Sequence, residues 1–318
     1  MANRMTLLAG IVVLIAAAAI MWAVSARPQS GAQAVREIYT RPAPPPPVGR
    51  MRVFHLGHSL VGRDMPAMLA QLAGAGHRYE SQLGWGTSLK HHWEPGEEIA
   101  GFADENDHPR FRPAREAVAS GDYDAVILTE MVEIRDAIKH HQSGRYLARW
   151  AALARDANRE TRVYLYETWH RLDDAEGWLT RLDRDLDRYW KGTLLAADIT
   201  RNAPARPVYL IPAGQVMARF VREVEAQRSS GAVRSRDDLF QRREDGSTDP
   251  IHLGDMGAYL VTLTHYAVLY QKSPVGLPRQ LRRADGTPAQ APDAATAELM
   301  QRIVWEVVTY LPETGVRG

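Results

Sequence analysis

The chain has 318 residues, a formal net charge of +1, and a globular balance of 45% hydrophobic and 24% charged residues. That length is enough to bury a substantial core, in one large domain or two small ones. The near-neutral charge leaves no electrostatic footprint of a nucleic-acid binder, and the absence of cysteine excludes disulfides, thiolate catalysis and thiolate-bound zinc.

Residues 5–24 form an unbroken apolar run, MTLLAGIVVLIAAAAIMWAV. At helical rise this run matches the thickness of a bilayer core, and it exceeds the roughly 7–15 residues of a signal-peptide core. The first reading is an uncleaved single-pass anchor; the second is a signal cleaved after Val24-Ser25-Ala26. Arg4 precedes the run and Arg27, Arg36 and Arg41 follow it, so the positive-inside count is nearly balanced. The orientation adopted puts the amino terminus inside a bacterial inner membrane and the domain in the periplasm. Residues 27–50 are polar and end in Pro42-Ala43-Pro44-Pro45-Pro46-Pro47, which reads as a stiff, extended tether. The organisation expected is therefore an anchor over 1–26, a linker over 27–50 and a folded domain over 51–318.

Within that domain, strands are expected over 52–58, 79–83, 125–129, 162–166 and 207–212. Helices are expected over 65–72, 134–157, 173–197, 216–224, 254–270 and 294–310. The continuous apolar run Ala125-Val126-Ile127-Leu128 marks a buried strand. Leu179, Leu182, Leu186, Tyr189 and Trp190 recur at helical spacing. Strands alternating with helices predict a parallel five-stranded sheet covered on both faces, a flavodoxin-like three-layer α/β/α sandwich. Ligands of such sheets bind beyond the carboxyl ends of the strands. Ser59, Gly86, Thr129, Trp169 and Ala213 all fall at or just after those ends.

Two segments carry chemistry. The first expected strand stops at Gly57-His58-Ser59-Leu60 and a helix follows. A strand, tight turn and helix in succession expose one hydroxyl, glycine permits the turn, and the helix N-terminus favours negative charge nearby. The second segment is Asp249-Pro250-Ile251-His252, just before the helix over 254–270. This spacing lets the carboxylate reach one imidazole N–H and leaves the other ring nitrogen free to take a proton from a hydroxyl.

With these segments the chain resembles an SGNH (GDSL-type) hydrolase, from Met51 to about Leu277. Gly57-His58-Ser59-Leu60 matches the first block of that family and Asp249-Pro250-Ile251-His252 the fifth. The resemblance implies Ser59 as nucleophile, His252 as general base and Asp249 as its orienter. It also implies an oxyanion hole made by the N–H groups of Ser59 and Gly86, with Gly84 as the other glycine of Gly84-Trp85-Gly86. The third block departs from the family: where Gly-x-Asn is usual, this chain has Leu128-Thr129-Glu130-Met131. Thr129 offers a hydroxyl donor there, whereas an ionised Glu130 would repel an oxyanion. His58 replaces an acidic residue, on a side chain expected to point away from the attacking hydroxyl.

Trp85 and Trp169 sit at the same expected edge of the sheet and suit either core closure or stacking on a sugar ring. His91-His92 and His140-His141 read as surface or cap residues, without a carboxylate at ligand spacing. Arg145, Arg149 and Arg155, like Arg242-Arg243 and Arg282-Arg283, read as solvated surface. The function expected is a serine esterase acting on an acyl ester of a small molecule or glycan, through an acyl-enzyme and without a metal or organic cofactor. The alternatives are a polysaccharide O-acyltransferase and an inactive glycan-binding domain.

Overall fold

The computed structural model describes residues 31–41, 44–45, 48–227 and 231–318. The apolar run over 5–24 lies outside these residues, as do Pro42-Ala43 and Pro46-Pro47. Among the described residues no helix is long and apolar enough to cross a membrane. The anchor, its orientation and the periplasmic placement therefore find no support there.

The described chain opens on helix α1 (Gly31–Ile38), inside the segment expected to be an extended tether. Val35, Ile38 and Tyr39 are buried, and this i, i+3, i+4 stripe is the reason the helix docks. The Tyr39 hydroxyl donates to the carbonyl of Val208, so this part of the tether belongs to the folded body.

Strand β1 (Met51–Leu56), helix α2 (Asp64–Ala73) and strand β2 (His77–Gln82) follow. Three short helices, α3 (Leu89–Trp93), α4 (Phe102–Asn106) and α5 (Ala114–Ala119), lead to β3 (Ala125–Thr129). Helices α6 (Ile134–His141) and α7 (Ser143–Ala157) precede β4 (Arg162–Glu167). After α8 (Trp178–Asp185), a π-helical stretch (Leu186–Leu195) and α9 (Ala196–Asn202) come β5 (Tyr209–Pro212) and α10 (Ala213–Gln227). A 3-10 turn (Arg236–Leu239) enters a hairpin of β6 (Phe240–Arg242) and β7 (Thr248–Leu253). Helices α11 (Asp255–Tyr270) and α12 (Ala294–Tyr310) close the fold.

The five-stranded sheet has the order β2-β1-β3-β4-β5, and every pairing in it is parallel. Every residue of β3 and β4 is buried, as strands covered on both faces require. One helical layer contains α2, α10, α11 and α12, and the other contains α5, α7 and α9 with the π-helical stretch. The expected α/β/α sandwich is therefore the observed one. The connection runs one way from β1 to β2 and the other way from β3 onward, so the carboxyl ends of β1 and β3 flank the switch point where such sheets bind ligands.

Several local expectations change. The helix over 134–157 is broken at Gln142, whose φ of 54° is left-handed, so α6 and α7 are separate. The helix over 173–197 starts only at Trp178, after Gly177 at φ 86°, and passes into the π-helical stretch at Leu186. Its apolar periodicity runs through both forms, which is why it reads as one element. The β6–β7 hairpin was not expected, although Asp245-Gly246 signals its turn; Gly246 has φ 81° there. Arg155 is not solvated: it makes two hydrogen bonds, of 2.8 and 2.9 Å, to the fully buried Asp198.

Candidate active site

Ser59 stands three residues beyond the end of β1. The N–H groups of Val61 and Gly62 both donate to the carbonyl of His58, at 2.8 and 3.4 Å, which curls the chain around the serine. Gly57 lets that turn lie flat on the end of β3. A Cβ built there would sit 2.7 Å from Thr129 Cβ and 2.9 Å from Val61 Cγ2. Gly57→Ala is expected to cost about 1–3 kcal/mol through this overlap, and a thermal melt measures it. An unchanged melting temperature would mean that the turn yields freely.

Asp249 and His252 lie on β7, outside the main sheet. Two contacts seat this strand above the switch point: the Trp169 indole N–H donates to the Ile251 carbonyl at 2.8 Å, and the Leu172 N–H donates to the Pro250 carbonyl at 2.8 Å; the Gly254 N–H closes the hairpin on the Leu239 carbonyl at 3.0 Å. His252 Nε2 is 3.1 Å from Ser59 Oγ, and His252 Nδ1 is 3.3 Å from Asp249 Oδ2. Asp249 Oδ1 accepts the N–H groups of Ile251 and His252 at 2.8 and 2.9 Å. Burial pushes the Asp249 carboxyl up, but those two N–H groups and the His252 imidazole outweigh it and hold the carboxyl below its usual range. The carboxylate therefore faces Nδ1 in its ionised form and leaves Nε2 toward the hydroxyl. The residues singled out in two remote segments, 193 positions apart, meet in one chain of hydrogen bonds.

A second Ser-His-carboxylate string has no such access. Ser88 Oγ lies 2.8 Å from His91 Nδ1, and His91 Nε2 is 3.8 Å from Glu97 Oε2. Ser88 is fully buried and accepts the His91 N–H as the N-cap of α3, so it is a helix cap. His92 is buried, and His91 and His141 pack ring against ring with centroids 4.9 Å apart. Among the described residues no group of three or more His, Cys, Asp or Glu is placed to hold a metal ion.

The oxyanion-hole candidates separate. The Gly84 N–H donates to the Gly57 carbonyl at 3.2 Å, so it is already engaged. Gly86 has φ 57° and open space where a Cβ would be. The Thr129 hydroxyl is buried beneath Gly57, and neither it nor Gly86 is in the lining of the cavity beside Ser59. Glu130 is also fully buried, and burial pushes its carboxyl up to about 7. Its Oε1 accepts the N–H groups of Leu89 and Met131, at 3.2 and 2.9 Å. The carboxyl therefore turns toward α3, and the expected repulsion of an oxyanion does not arise at the cavity.

The two tryptophans differ. Trp85 is 52% exposed, with its N–H fixed on Glu105 Oε1 at 3.0 Å and its ring pressed on Gly101. Trp169 is 1% exposed and its N–H is committed to Ile251, so it orders the strand that carries His252, and it lines the cavity beside Ser59. The cavity beside Ser59 has a volume of about 550 Å³. Arg63, Arg242 and Arg283 line it together with Asp64, Asp238 and Asp255. Arg242 and Arg283, expected on the solvated surface, thus belong to its wall. Arg283 is held by Asp255 at 2.9 and 2.5 Å. Arg63, in an otherwise unremarked turn, had no sequence signal.

No protein-family model and no curated protein sequence matches the chain. Among solved structures, a DUF4886 family protein from Bacteroides uniformis is similar, with a TM-score of 0.50 at 14% identity, covering 82% of this chain and 95% of its own. A protein provisionally named a GDSL-like lipase, from Parabacteroides merdae, has a TM-score of 0.42 at 12% identity, covering 71% of this chain and 99% of its own. A carbohydrate esterase family 3 protein from Talaromyces cellulolyticus has a TM-score of 0.32 at 14% identity, covering 70% of this chain and 97% of its own. The chain shares its fold with the Bacteroides protein.

Proposed function

We propose that the chain is a serine hydrolase of the SGNH type that cleaves an acyl ester. The observation that carries this reading is the 3.1 Å contact between His252 Nε2 and Ser59 Oγ beside an open cavity. In this scheme the imidazole removes the hydroxyl proton as Oγ attacks the ester carbonyl. It then returns that proton to the departing alkoxide, which leaves an acyl-enzyme. Water, deprotonated by the same nitrogen, attacks the acyl group and releases acid and free serine. Asp249 keeps Nδ1 protonated and stabilises the imidazolium. The N–H groups of Ser59 and Gly86 are the donors assigned to the oxyanion. Without a side-chain donor in the third block, turnover is expected to be about 10²–10³ below that of a site with a full complement.

The substrate class proposed is an ester, such as an acetyl ester, on a carbohydrate. The ionic groups of the cavity wall are of both signs and partly paired with one another, which favours a neutral, hydroxyl-rich ligand over an ionic one. Trp85 is outside the lining of that cavity, so its rigid exposed ring would stack only on a glycan that extends past it. Transfer of the acyl group to a glycan hydroxyl would use the same residues, and free acid as the only acyl product distinguishes hydrolysis from transfer.

A fluorophosphonate probe tests the site without knowledge of the substrate. Stoichiometric labelling at Ser59, read by intact mass and peptide mapping, is expected in the native chain and is expected to disappear in His252→Ala. Folded protein that resists the probe would instead be a binding domain.

A further inference from the structure

Two buried imidazoles grip the peptides on either side of the one that carries the Ser59 N–H. His58 Nε2 lies 2.9 Å from the carbonyl oxygen of Glu130, and His58 Nδ1 accepts the N–H of Leu60 at 3.4 Å. A carbonyl only accepts, so Nε2 carries the proton. A backbone N–H only donates, so Nδ1 is bare. His92 repeats the pattern on the Gly57–His58 peptide: its Nε2 is 2.8 Å from the Gly57 carbonyl, and its Nδ1 is 2.9 Å from Gln82 Nε2. Both rings are buried and neither lines the cavity.

We infer that His58 and His92 are positioning residues that fix the direction of the Ser59 N–H and hydroxyl relative to His252. The inference rests on the hydrolase reading of Ser59. Each ring donates at one end and accepts at the other, across a rigid spacing and without net charge. An ionised acidic side chain in place of His58 would have no proton for the Glu130 carbonyl, so the departure from the family's first block has a local cause. Burial pushes both imidazoles down to about 4, which keeps both rings uncharged through the neutral range and leaves the tautomer to their partners. Glu130 completes the brace: its carboxyl is tied to Leu89 and Met131, which holds the loop whose carbonyl His58 grips.

The test compares His58→Leu, which removes both bonds, with His58→Gln, which keeps a neutral donor and acceptor, and does the same at His92. With 4-nitrophenyl acetate, the leucine variants are expected to lose about 10²-fold in kcat, the cost of a misplaced nucleophile, with KM nearly unchanged. The glutamine variants are expected to recover most of that loss. Unchanged kcat in the leucine variants overturns the inference, as does a loss that glutamine fails to repair. If the native chain has no turnover, the hydrolase reading has failed, and amide hydrogen exchange judges the brace separately. Faster exchange over 59–62 in His58→Leu, with the sheet still protected, supports it; equal protection overturns it.

Discussion

Ser59→Ala is expected to lower ester turnover by about 10⁴–10⁶-fold, the loss typical when a member of a hydroxyl-imidazole-carboxylate unit is removed. The fall belongs in kcat, because the missing Oγ makes its bond only on the way to the transition state, and substrate binding is largely untouched. His252→Ala is expected to cost as much. The double variant should be no slower than either single one, because the two groups act as a unit. Asp249→Asn should lose about 10⁴-fold for a different reason: an amide N–H facing Nδ1 forces the proton onto Nε2, and the nitrogen 3.1 Å from Ser59 Oγ can then no longer accept. Steady-state hydrolysis of a short-chain aryl ester measures all four. A Ser59→Ala protein as fast as the native one would remove this serine from the mechanism.

Acidification from pH 7 to pH 5 is expected to remove much of the stability of the fold. Burial pushes the imidazoles of His58, His77, His92, His170 and His265 from 6.5 down to about 4, and lowers His55 as well. The unfolded chain therefore binds protons below pH 6.5 that the native chain refuses. The stability these groups contribute is complete above 6.5 and is lost as the pH falls toward 4. At pH 5 the loss is about 2 kcal/mol for each of the five. Two buried carboxyls act the other way. Glu130 and Glu167 are raised from 4.5 to about 7 and about 8 by burial, and each regains about 2 kcal/mol over the same interval. The remaining deficit, about 6 kcal/mol, compares with the 5–15 kcal/mol that holds a typical domain together. Thermal melts at constant ionic strength should show the midpoint falling by more than about 10 °C between pH 7 and pH 5. A flat midpoint would mean that these rings take up protons within the native structure.

The fold was largely legible in the chain because a doubly covered parallel sheet writes its strands as short apolar runs. Ala125-Val126-Ile127-Leu128 and Val163-Tyr164-Leu165-Tyr166 lie in strands in which every residue is buried. Legibility failed where the local pattern persists across a change of geometry. The apolar stripe through Leu182, Leu186 and Trp190 continues from α8 into the π-helical stretch, and the boundary at Gln142 is set by its left-handed backbone. Strand β7 was missed because Pro250 interrupts its pattern and its partner is only three residues long.

Residue types and short spacings alone determined that Ser59 lies in the turn that follows a strand and that Asp249 and His252 sit three apart, since these are matters of local chemistry. Tertiary structure alone decided that the two segments meet, because only packing on Trp169 and Leu172 seats β7 above the end of β1. It also withdrew Thr129 into the core, turned the Glu130 carboxyl toward α3 and gave His58 its two partners. A side chain's direction and burial depend on neighbours far away in the chain, and no local pattern encodes them.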